Sequence, residues 1–220
     1  MSLAAIALVI LWPPAQAFDL QVQIHFFDAA SARWIFPPES HDAVYWLLYR
    51  LPKILLSVAA GAICLLLLWD AVRGRWSARD TRLLLAVCVL GLTALIVGML
   101  KNVTGVSCPA QEIPFAGPYP HIGITDRLFG LVPFKDHLQC WPAGHASAGF
   151  GLLGYRLLAP AELSPPFRYW WPGLVAGWGL GIFQMARGQH YLSHTVVTMA
   201  LAILLSSLAL AIRDRLEQRG

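Results

Sequence analysis

Three histidines and one lysine lie at the ends of long apolar runs, where folding could bring their side chains together. His145 follows Pro142-Ala143-Gly144 at the start of one run, and His190 and His194 stand at the start of another. Lys101 closes a third run. A histidine can donate or accept a proton near a bound phosphate, and a lysine attracts phosphate by its charge. These residue types therefore predict a phosphate-binding site.

The step from loop to helix at His145 predicts an anion site. Pro142 and Gly144 break the loop, and the apolar periodicity begins directly after them. Backbone N–H groups in a first helical turn are unpaired, and the helix dipole there favours an anion. Taken alone, His145 is interpreted equally well as a helix-start residue that faces solvent or lipid headgroups.

The second histidine motif has two interpretations. His190 and His194 are four residues apart and would share one face if the segment is helical, and Arg187 precedes His190 by three residues. Ionisable residues at membrane depth indicate a functional site. His-x-x-x-His is also a metal-ligand spacing, but Tyr191 stands where the zinc-protease motif has Glu, and carboxylates nearby are scarce. We therefore expect no metal and no other cofactor. Lys101 alone would be a snorkelling anchor.

The elements that must position these residues are apolar helices. The chain has 220 residues, of which 57% are hydrophobic and 13% charged, against roughly 25% charged in soluble domains. Its net charge of +4 comes from basic residues in short connections, so we expect the bilayer and not nucleic acid as a partner. The fold class is predicted to be all-α, with residues 1–220 forming one polytopic membrane domain of six transmembrane helices. The six apolar runs are Leu3–Phe18, Tyr45–Asp70, Leu83–Leu100, Ala143–Leu158, Tyr169–Ala186 and Tyr191–Ile212.

The first run, Leu3–Phe18, is favoured as a short transmembrane helix, with a cleaved signal peptide as the alternative. Ala15-Gln16-Ala17 resembles a cleavage site, but no basic residue precedes the run.

In the fifth run Gly173, Gly177 and Gly181 recur every four residues. Small residues at this spacing let helix backbones approach, so these glycines are predicted to be packing residues.

The arginines predict which side of the membrane each connection faces. They cluster between the second and third runs, between the fourth and fifth, and in the C-terminal tail. Basic connections stay in the cytoplasm, so we expect both termini inside and the loop at about 102–141 outside, together with His145 and His190. Asp136 and His137 are interpreted as ordinary polar residues of that outer loop.

Three motifs together resemble a known family signature. They are Lys101-x6-Cys108-Pro109, Pro142-Ala143-Gly144-His145 and His190-x3-His194. Their order resembles the type 2 phosphatidic acid phosphatase (PAP2) family, whose signature is Lys-x6-Arg-Pro, then Pro-Ser-Gly-His, then Ser-Arg-x5-His-x3-Asp. The resemblance covers roughly residues 95–200. Bacterial members of this family with Cys-Pro, Pro-Ala-Gly-His-Ala and His-x-Leu-Ser-His look like this chain, which suggests a bacterial integral-membrane lipid phosphatase-like subgroup.

The chain departs from that signature at several positions. Cys108 stands where the family has Arg, Ala143 replaces Ser, and His194 replaces Asp. Gln184 stands where the family has the Arg of the third motif, while Arg187 lies one helical turn later. The expected pocket thus loses one guanidinium and one hydroxyl, and we expect Arg187 to supply a replacement charge.

The resemblance implies a role for each motif residue. His190 is the nucleophile that forms a phosphohistidine, His145 is the general acid and then the general base, and His194 orients His190. The groups expected to hold the phosphoryl oxygens are the side chains of Lys101 and Arg187 and the backbone N–H groups of Ala143 and Gly144. No metal is needed for this chemistry.

Two of the four cysteines fall in the expected outer loop. Cys108 and Cys140 would lie in an oxidising compartment if the cell is bacterial, and a disulfide between them would tie the first motif to the second. Cys64 and Cys88 lie within apolar runs and are interpreted as core residues.

The resemblance implies a membrane phosphatase that removes phosphate from a lipid phosphate or diphosphate at the extracytoplasmic face, in a bacterial inner membrane. A phosphotransferase with the same phosphohistidine is one alternative. A non-catalytic lipid-phosphate binder or transporter is another, motivated by the missing Arg and Asp. The sequence does not indicate which lipid is the substrate, and it does not indicate the oligomeric state.

Overall fold

The chain folds almost entirely into helices. The computed structural model describes residues 13–37, 43–133, 138–159 and 167–218. Most of the run predicted at Leu3–Phe18 and both Asp136 and His137 lie outside these ranges. The helices are α1 Pro13–Gln23, α2 Ala43–Val72, α3 Ala78–Thr104, α4 Ile124–Leu128, α5 Gly144–Phe150, α6 Trp171–Met185 and α7 Leu192–Glu217.

Several helices carry irregular turns. In α2 a π-helical turn at Trp46–Arg50 lies between Ala43–Tyr45 and the regular helix Leu51–Val72. Helix α5 continues directly as a 3₁₀ helix, Gly151–Leu158. Further 3₁₀ turns cover Ile24–Phe26, Pro109–Gln111, Ile113–Phe115 and Phe167–Tyr169. A two-stranded antiparallel hairpin joins β1, Phe27–Asp28, to β2, Arg33–Trp34, with Phe27 opposite Trp34.

Within the described ranges, three helices are long and apolar enough to cross a membrane: Ala43–Val72, a stretch that begins with α3 at Ala78, and Leu192–Glu217. Their outward surfaces are apolar, and on α2 many large aliphatic side chains are exposed, as lipid contact requires. The mostly helical, membrane-like fold is thus as predicted. The α5 stretch and α6 are shorter than the ~20 residues of a straight span. The count of six transmembrane helices therefore stays a prediction.

The core lies where α5, α6 and α7 meet. Phe150 and Leu153 are fully buried there with Ala146 and Ala202. A Cβ at Gly173 would clash with Leu153, one at Gly177 with the ring of Phe150, and one at Gly181 with Thr195. The predicted packing role of these three glycines is confirmed. Close backbone approach is what allows these short helical segments to pack tightly.

Both ends of α3 are defined by local features of the sequence. Ser77 donates its backbone N–H to Asp80 over 2.8 Å and its hydroxyl over 2.6 Å. This N-terminal capping interaction satisfies groups that the first helical turn leaves unpaired. The helix ends at Gly105, whose φ of 62° is left-handed and therefore suits glycine. Lys101 is consequently held in the last turn of α3, at the start of the outer loop.

Substituting Gly177 tests the packing of α6. In Gly177→Ala the new methyl group would lie 2.1 Å from the buried ring of Phe150, and overpacking of this kind costs roughly 1–3 kcal/mol. We expect a lower thermal unfolding midpoint in detergent. Gly179→Ala is the matched control on the same helix, because nothing lies within 4 Å of its new Cβ. Equal midpoints for the two variants would contradict this packing.

Candidate active site

The three predicted motifs converge on one pair of histidines. Nδ1 of His145 lies 3.4 Å from Nε2 of His190, although 45 residues separate them in the chain. His145 stands in the first turn of α5, and His190 stands in the turn between α6 and α7. His190 is 1% exposed. The structure thus brings together the two residues for which catalytic roles were expected.

The carbonyl oxygen of Cys140 orients His190. Nδ1 of His190 lies 2.8 Å from this oxygen, and Nδ1 of His194 lies 3.0 Å from it. A carbonyl oxygen only accepts hydrogen bonds, so each Nδ1 carries the proton and donates it. Nε2 of His190 therefore keeps its lone pair and points at His145, which suits a nucleophile or a base.

His194 is placed differently from the expectation that it orients His190 directly. Its ring centroid lies 6.0 Å from that of His190, and both rings donate to the same carbonyl oxygen. The backbone carbonyl thus occupies the acceptor position beside His190. In this arrangement His194 is linked to His190 indirectly. Its hydrogen bond helps to hold the Cys140 carbonyl oxygen, which also accepts the hydrogen bond from His190.

The segment from Cys140 to Ala143 is fixed from several sides. The N–H of Cys140 donates to the carbonyl of Val106 over 3.0 Å, and the hydroxyl of Thr104 donates to the carbonyl of Trp141 over 2.8 Å. The N–H of Ala143 donates to the carbonyl of His194 over 3.2 Å. The Ala143 N–H that was expected to bind phosphate thus joins the start of α5 to α7 in this structure.

A disulfide joins Cys108 to Cys140, with 5.1 Å between the two Cα atoms. The pairing expected from the sequence is thus present, and it ties the first motif to the second.

Sγ of Cys140 and ring nitrogens of His190 and His194 lie within 4.8 Å of one another, a spacing that could suit a metal ion. Since Cys140 is oxidised, it offers no thiolate, and the cluster is not a good metal site as it stands.

Lys101 lies beside the start of α5. A Cβ built at Gly144 would be 3.1 Å from Cδ and 3.3 Å from Nζ of Lys101, so glycine lets the lysine side chain lie close to the start of α5. Both residues line a cavity of about 320 Å³ together with His145. The remaining walls are mostly small or apolar and include Ala94, Gly98, Ala148 and Leu180. The cavity therefore combines a cationic, histidine-bearing end with apolar walls.

Arg187 lies near this site but is not among the residues that line the cavity. Its guanidinium carbon is 4.6 Å from the ring centroid of Tyr45 and 5.7 Å from that of Phe183. The residue is 5% exposed, and the positive charge still acts on His145. Stacking on Tyr45 thus holds a guanidinium close to the histidine pair.

Helix α2 supplies residues that the motifs did not indicate. Tyr49 and Lys53 line the cavity, and the ring centroid of Tyr49 is 4.5 Å from that of His145. Tyr45, Tyr49 and Lys53 are each four residues apart, across the π-helical turn. That regular spacing of aromatic and basic residues at the start of an apolar run was the available signal in the sequence.

A buried carboxylate anchors the outer loop beside the histidines. Glu112 is fully buried and accepts hydrogen bonds from the hydroxyls of Ser107 over 2.6 Å and Tyr191 over 2.5 Å. It also accepts one from Nδ1 of His121 over 2.9 Å. Burial alone would lower the pKa of His121, but the hydrogen bond and charge of Glu112 outweigh it and raise that pKa. This network attaches the loop to the residue after His190.

Two further contacts fix the turn that carries His190. Gly188 has a φ of 65°, and a Cβ there would lie 2.4 Å from the ring of Trp34 in the hairpin. Glycine is therefore required for both conformation and space. Asp19 of α1 accepts hydrogen bonds from the N–H of Ser193, over 2.8 Å, and from its hydroxyl. This carboxylate caps the start of α7.

The environment keeps His190 neutral. Burial of the imidazole, together with the positive charge of Lys101, lowers the pKa of His190 well below its ordinary value. The neighbouring rings of His145 and His194 act in the same direction. A neutral imidazole with a free Nε2 lone pair is the form that attacks an electrophile or accepts a proton.

Comparison with known proteins identifies one family. A family model described as the PAP2 superfamily matches residues 82–218, which is more than half of the chain. The matched region runs from α3 to the end of α7, so α2 with Tyr49 and Lys53 precedes it. Among curated proteins and solved structures nothing matches the chain. The resemblance inferred from the three motifs is confirmed at the level of the superfamily.

Removing the disulfide tests the anchoring of the loop. For a closed loop of this length the chain-entropy model gives about 3–4 kcal/mol, so Cys108→Ala/Cys140→Ala should unfold at a lower temperature. The matched control is Cys64→Ala/Cys88→Ala, because those two cysteines are free and exposed on the helix surfaces, contrary to the core position expected for them. Free alkylation of Cys108 and Cys140 in unreduced protein would refute the pairing.

Titration of His190 tests the site electrostatics. A lowered pKa means that the ring takes up its proton only at a pH well below about 6.5. We therefore expect ¹⁵N NMR of histidine-labelled protein to show a neutral, Nδ1-protonated ring from pH 6 to 8. The His190→Gln variant assigns the signal. An imidazolium signal for His190 at or above pH 6.5 would contradict the proposed environment.

Proposed function

The chain belongs to the PAP2 superfamily, and we propose that it is a membrane phosphatase that acts on a lipid phosphate through a phosphohistidine. The observation that carries the proposal is the approach of Nδ1 of His145 to Nε2 of His190, 3.4 Å apart. A nucleophile and an acid–base partner are thereby paired next to the cavity that Lys101 lines. Phosphoryl transfer needs these three functions in one place.

In the first step Nε2 of His190 attacks the phosphorus atom, and the bond from phosphorus to the lipid oxygen breaks. Protonated His145 donates its proton to that leaving oxygen, so the lipid departs as an alcohol. His190 is ready for this step because Cys140 holds its proton on Nδ1. The product on the enzyme is a phosphohistidine with its phosphorus bound to Nε2.

In the second step neutral His145 takes a proton from water, and the oxygen of that water attacks phosphorus. The phosphorus–nitrogen bond breaks, the electron pair returns to Nε2 of His190, and inorganic phosphate leaves. His145 is protonated again and ready for the next cycle. The charge of Lys101 stabilises the phosphoryl oxygens in both steps, and the charge of Arg187 adds to it.

The separation of the two histidines implies a movement on binding. At 3.4 Å there is no room for a phosphorus atom between the two nitrogens. In the proposed mechanism the ring of His145 therefore shifts away from His190 when the phosphoryl group enters. His190 itself is held by the carbonyl of Cys140 and is buried, so His145 is the ring that moves.

A lipid substrate is supported by the walls of the cavity and by the apolar helices around it. The arginines at residues 73–82 and 156–168 support a cytoplasmic position for those connections. The proposed site then faces the extracytoplasmic side, which in a bacterium is the periplasmic face of the inner membrane. Both termini would be cytoplasmic, and the outer loop would be the active-site loop.

Loss of each histidine should have a different size of effect. We expect His190→Ala to abolish phosphate release from purified lipid phosphates, because His190 is the nucleophile of the proposed mechanism. His145→Ala should lower kcat by roughly 10²- to 10⁴-fold, the usual contribution of general acid–base catalysis. His25→Ala is the control, since His25 is exposed in the hairpin region away from this cavity. Unchanged release by His190→Ala would refute the enzymatic function.

The phosphotransferase alternative predicts different products from the same intermediate. In that case the acceptor is a hydroxyl group of a second lipid and not water. ³²P-labelled substrate incubated with wild-type protein in mixed micelles should yield inorganic phosphate if the enzyme is a phosphatase. Label that appears mainly in a second lipid would instead establish transfer, and the phosphohistidine would be common to both outcomes.

A further inference from the structure

Helix α2, which precedes the family-matched region, contributes a second lysine to the cavity. Lys53 lines it together with Lys101 and His145. The charge of Lys53 acts on both of these residues. In the part of the chain that the structure describes, neither lysine forms an ion pair with a carboxylate. Two like charges kept near each other in an apolar helical region are costly unless an anion binds between them.

The two lysines occupy different positions relative to the histidine pair. Nζ of Lys101 is next to Gly144, one residue from His145. Lys53 is one helical turn beyond Tyr49, with its Nζ 6.0 Å from the Tyr49 ring centroid, and Tyr49 itself contacts His145. The two lysines thus reach the same cavity from different helices, Lys101 from α3 and Lys53 from α2.

We propose that Lys53 determines specificity by binding the second, lipid-linked phosphoryl group of a lipid diphosphate. The terminal phosphoryl group then lies at His190 and Lys101, and the second lies beyond Tyr49 at Lys53. The chain follows the apolar walls formed by residues such as Ala94 and Leu180. This assignment rests on the proposed phosphatase function.

The charge of the site is consistent with a diphosphate. Cys108, in the disulfide, stands where the family motif has an arginine, yet Lys53, Lys101 and Arg187 together bring three positive charges to this region. No acidic residue is found among the described residues that line the cavity. A diphosphate carries more negative charge than a monophosphate, so it neutralises more of the charge that Lys53 and Lys101 bring to the cavity.

The test compares two substrates of one isoprenyl chain length, the diphosphate and the monophosphate. Lys53→Gln should lower kcat/KM for the diphosphate by about 10- to 100-fold, as expected for a lost hydrogen bond between charged groups, mainly through a higher KM. The monophosphate should change by less than about threefold, and Lys53→Arg should restore most of the diphosphate activity. Equal effects on both substrates, or no effect on either, would overturn the assignment.

Arg50→Gln is the matched control for charge on the same helix. Arg50 is exposed, and its guanidinium faces the rings of Tyr45 and Trp46, outside the cavity lining. Its loss should change kcat/KM for both substrates by less than about threefold. A diphosphate-selective loss in Arg50→Gln as large as that in Lys53→Gln would show a general charge effect and overturn the role of Lys53.

A binding measurement separates this proposal from the proposed reaction. In the His190→Ala background, methylenediphosphonate should raise the thermal unfolding midpoint, and adding Lys53→Gln should weaken its binding about tenfold or more. Binding of methylphosphonate should not depend on Lys53. If His190→Ala leaves phosphate release intact while this difference persists, the reaction is wrong and the Lys53 site stands. If His190→Ala abolishes release and Lys53 does not discriminate, only the Lys53 assignment fails.

Discussion

The site depends on one carbonyl oxygen, that of Cys140. A carbonyl oxygen has two lone pairs, and His190 and His194 each donate an Nδ1–H to this one. The group is buried, so losing either donor would leave polar atoms poorly satisfied at a cost of about 1–3 kcal/mol. These bonds also decide the tautomer of His190 and therefore which nitrogen faces His145. The Cys140 carbonyl thus fixes both the position and the tautomer of His190, the proposed nucleophile.

That carbonyl can act only if its backbone does not move. The disulfide to Cys108 and the hydrogen bond to Val106 connect it to the end of α3, while the N–H of Ala143 connects the following residues to α7. Buried Glu112 holds the outer loop to Tyr191, directly after His190. Each of these contacts joins parts of the chain that are distant in sequence. The described part of the outer loop therefore serves as a frame for the histidines.

The helices that carry the site pack closely against one another. Glycines on α6 let it lie against Phe150 and Leu153, and this brings the start of α5 to the turn that holds His190. Helix α2 packs more loosely and presents most of its apolar surface outward. It nevertheless places Tyr49 against His145. The same helix can thus contact lipid on one face and complete the cavity on the other.

Much of this protein could be read from its sequence. Apolar runs predict the helices because burial in lipid requires about 20 apolar residues with internally paired backbone. Motif order predicted the superfamily, the histidine pair and the cysteine pairing, since each depends on residue type and spacing. The packing role of the three glycines on α6 was predicted for the same reason. Small residues at four-residue spacing lie on one helix face and let a neighbouring backbone approach it.

Other features were decided by the tertiary structure. Whether the Ala143 N–H faces phosphate or His194, and whether His190 bonds to His194 or to Cys140, depends on distances between segments far apart in the chain. Local sequence carries no information on such distances. Tyr49 and Lys53 belong to the cavity only because α2 packs against α3 and places Tyr49 against His145, and no motif encodes these contacts. The sequence by itself thus determined which groups could do the chemistry, and the packing of the helices decided which partner each group has.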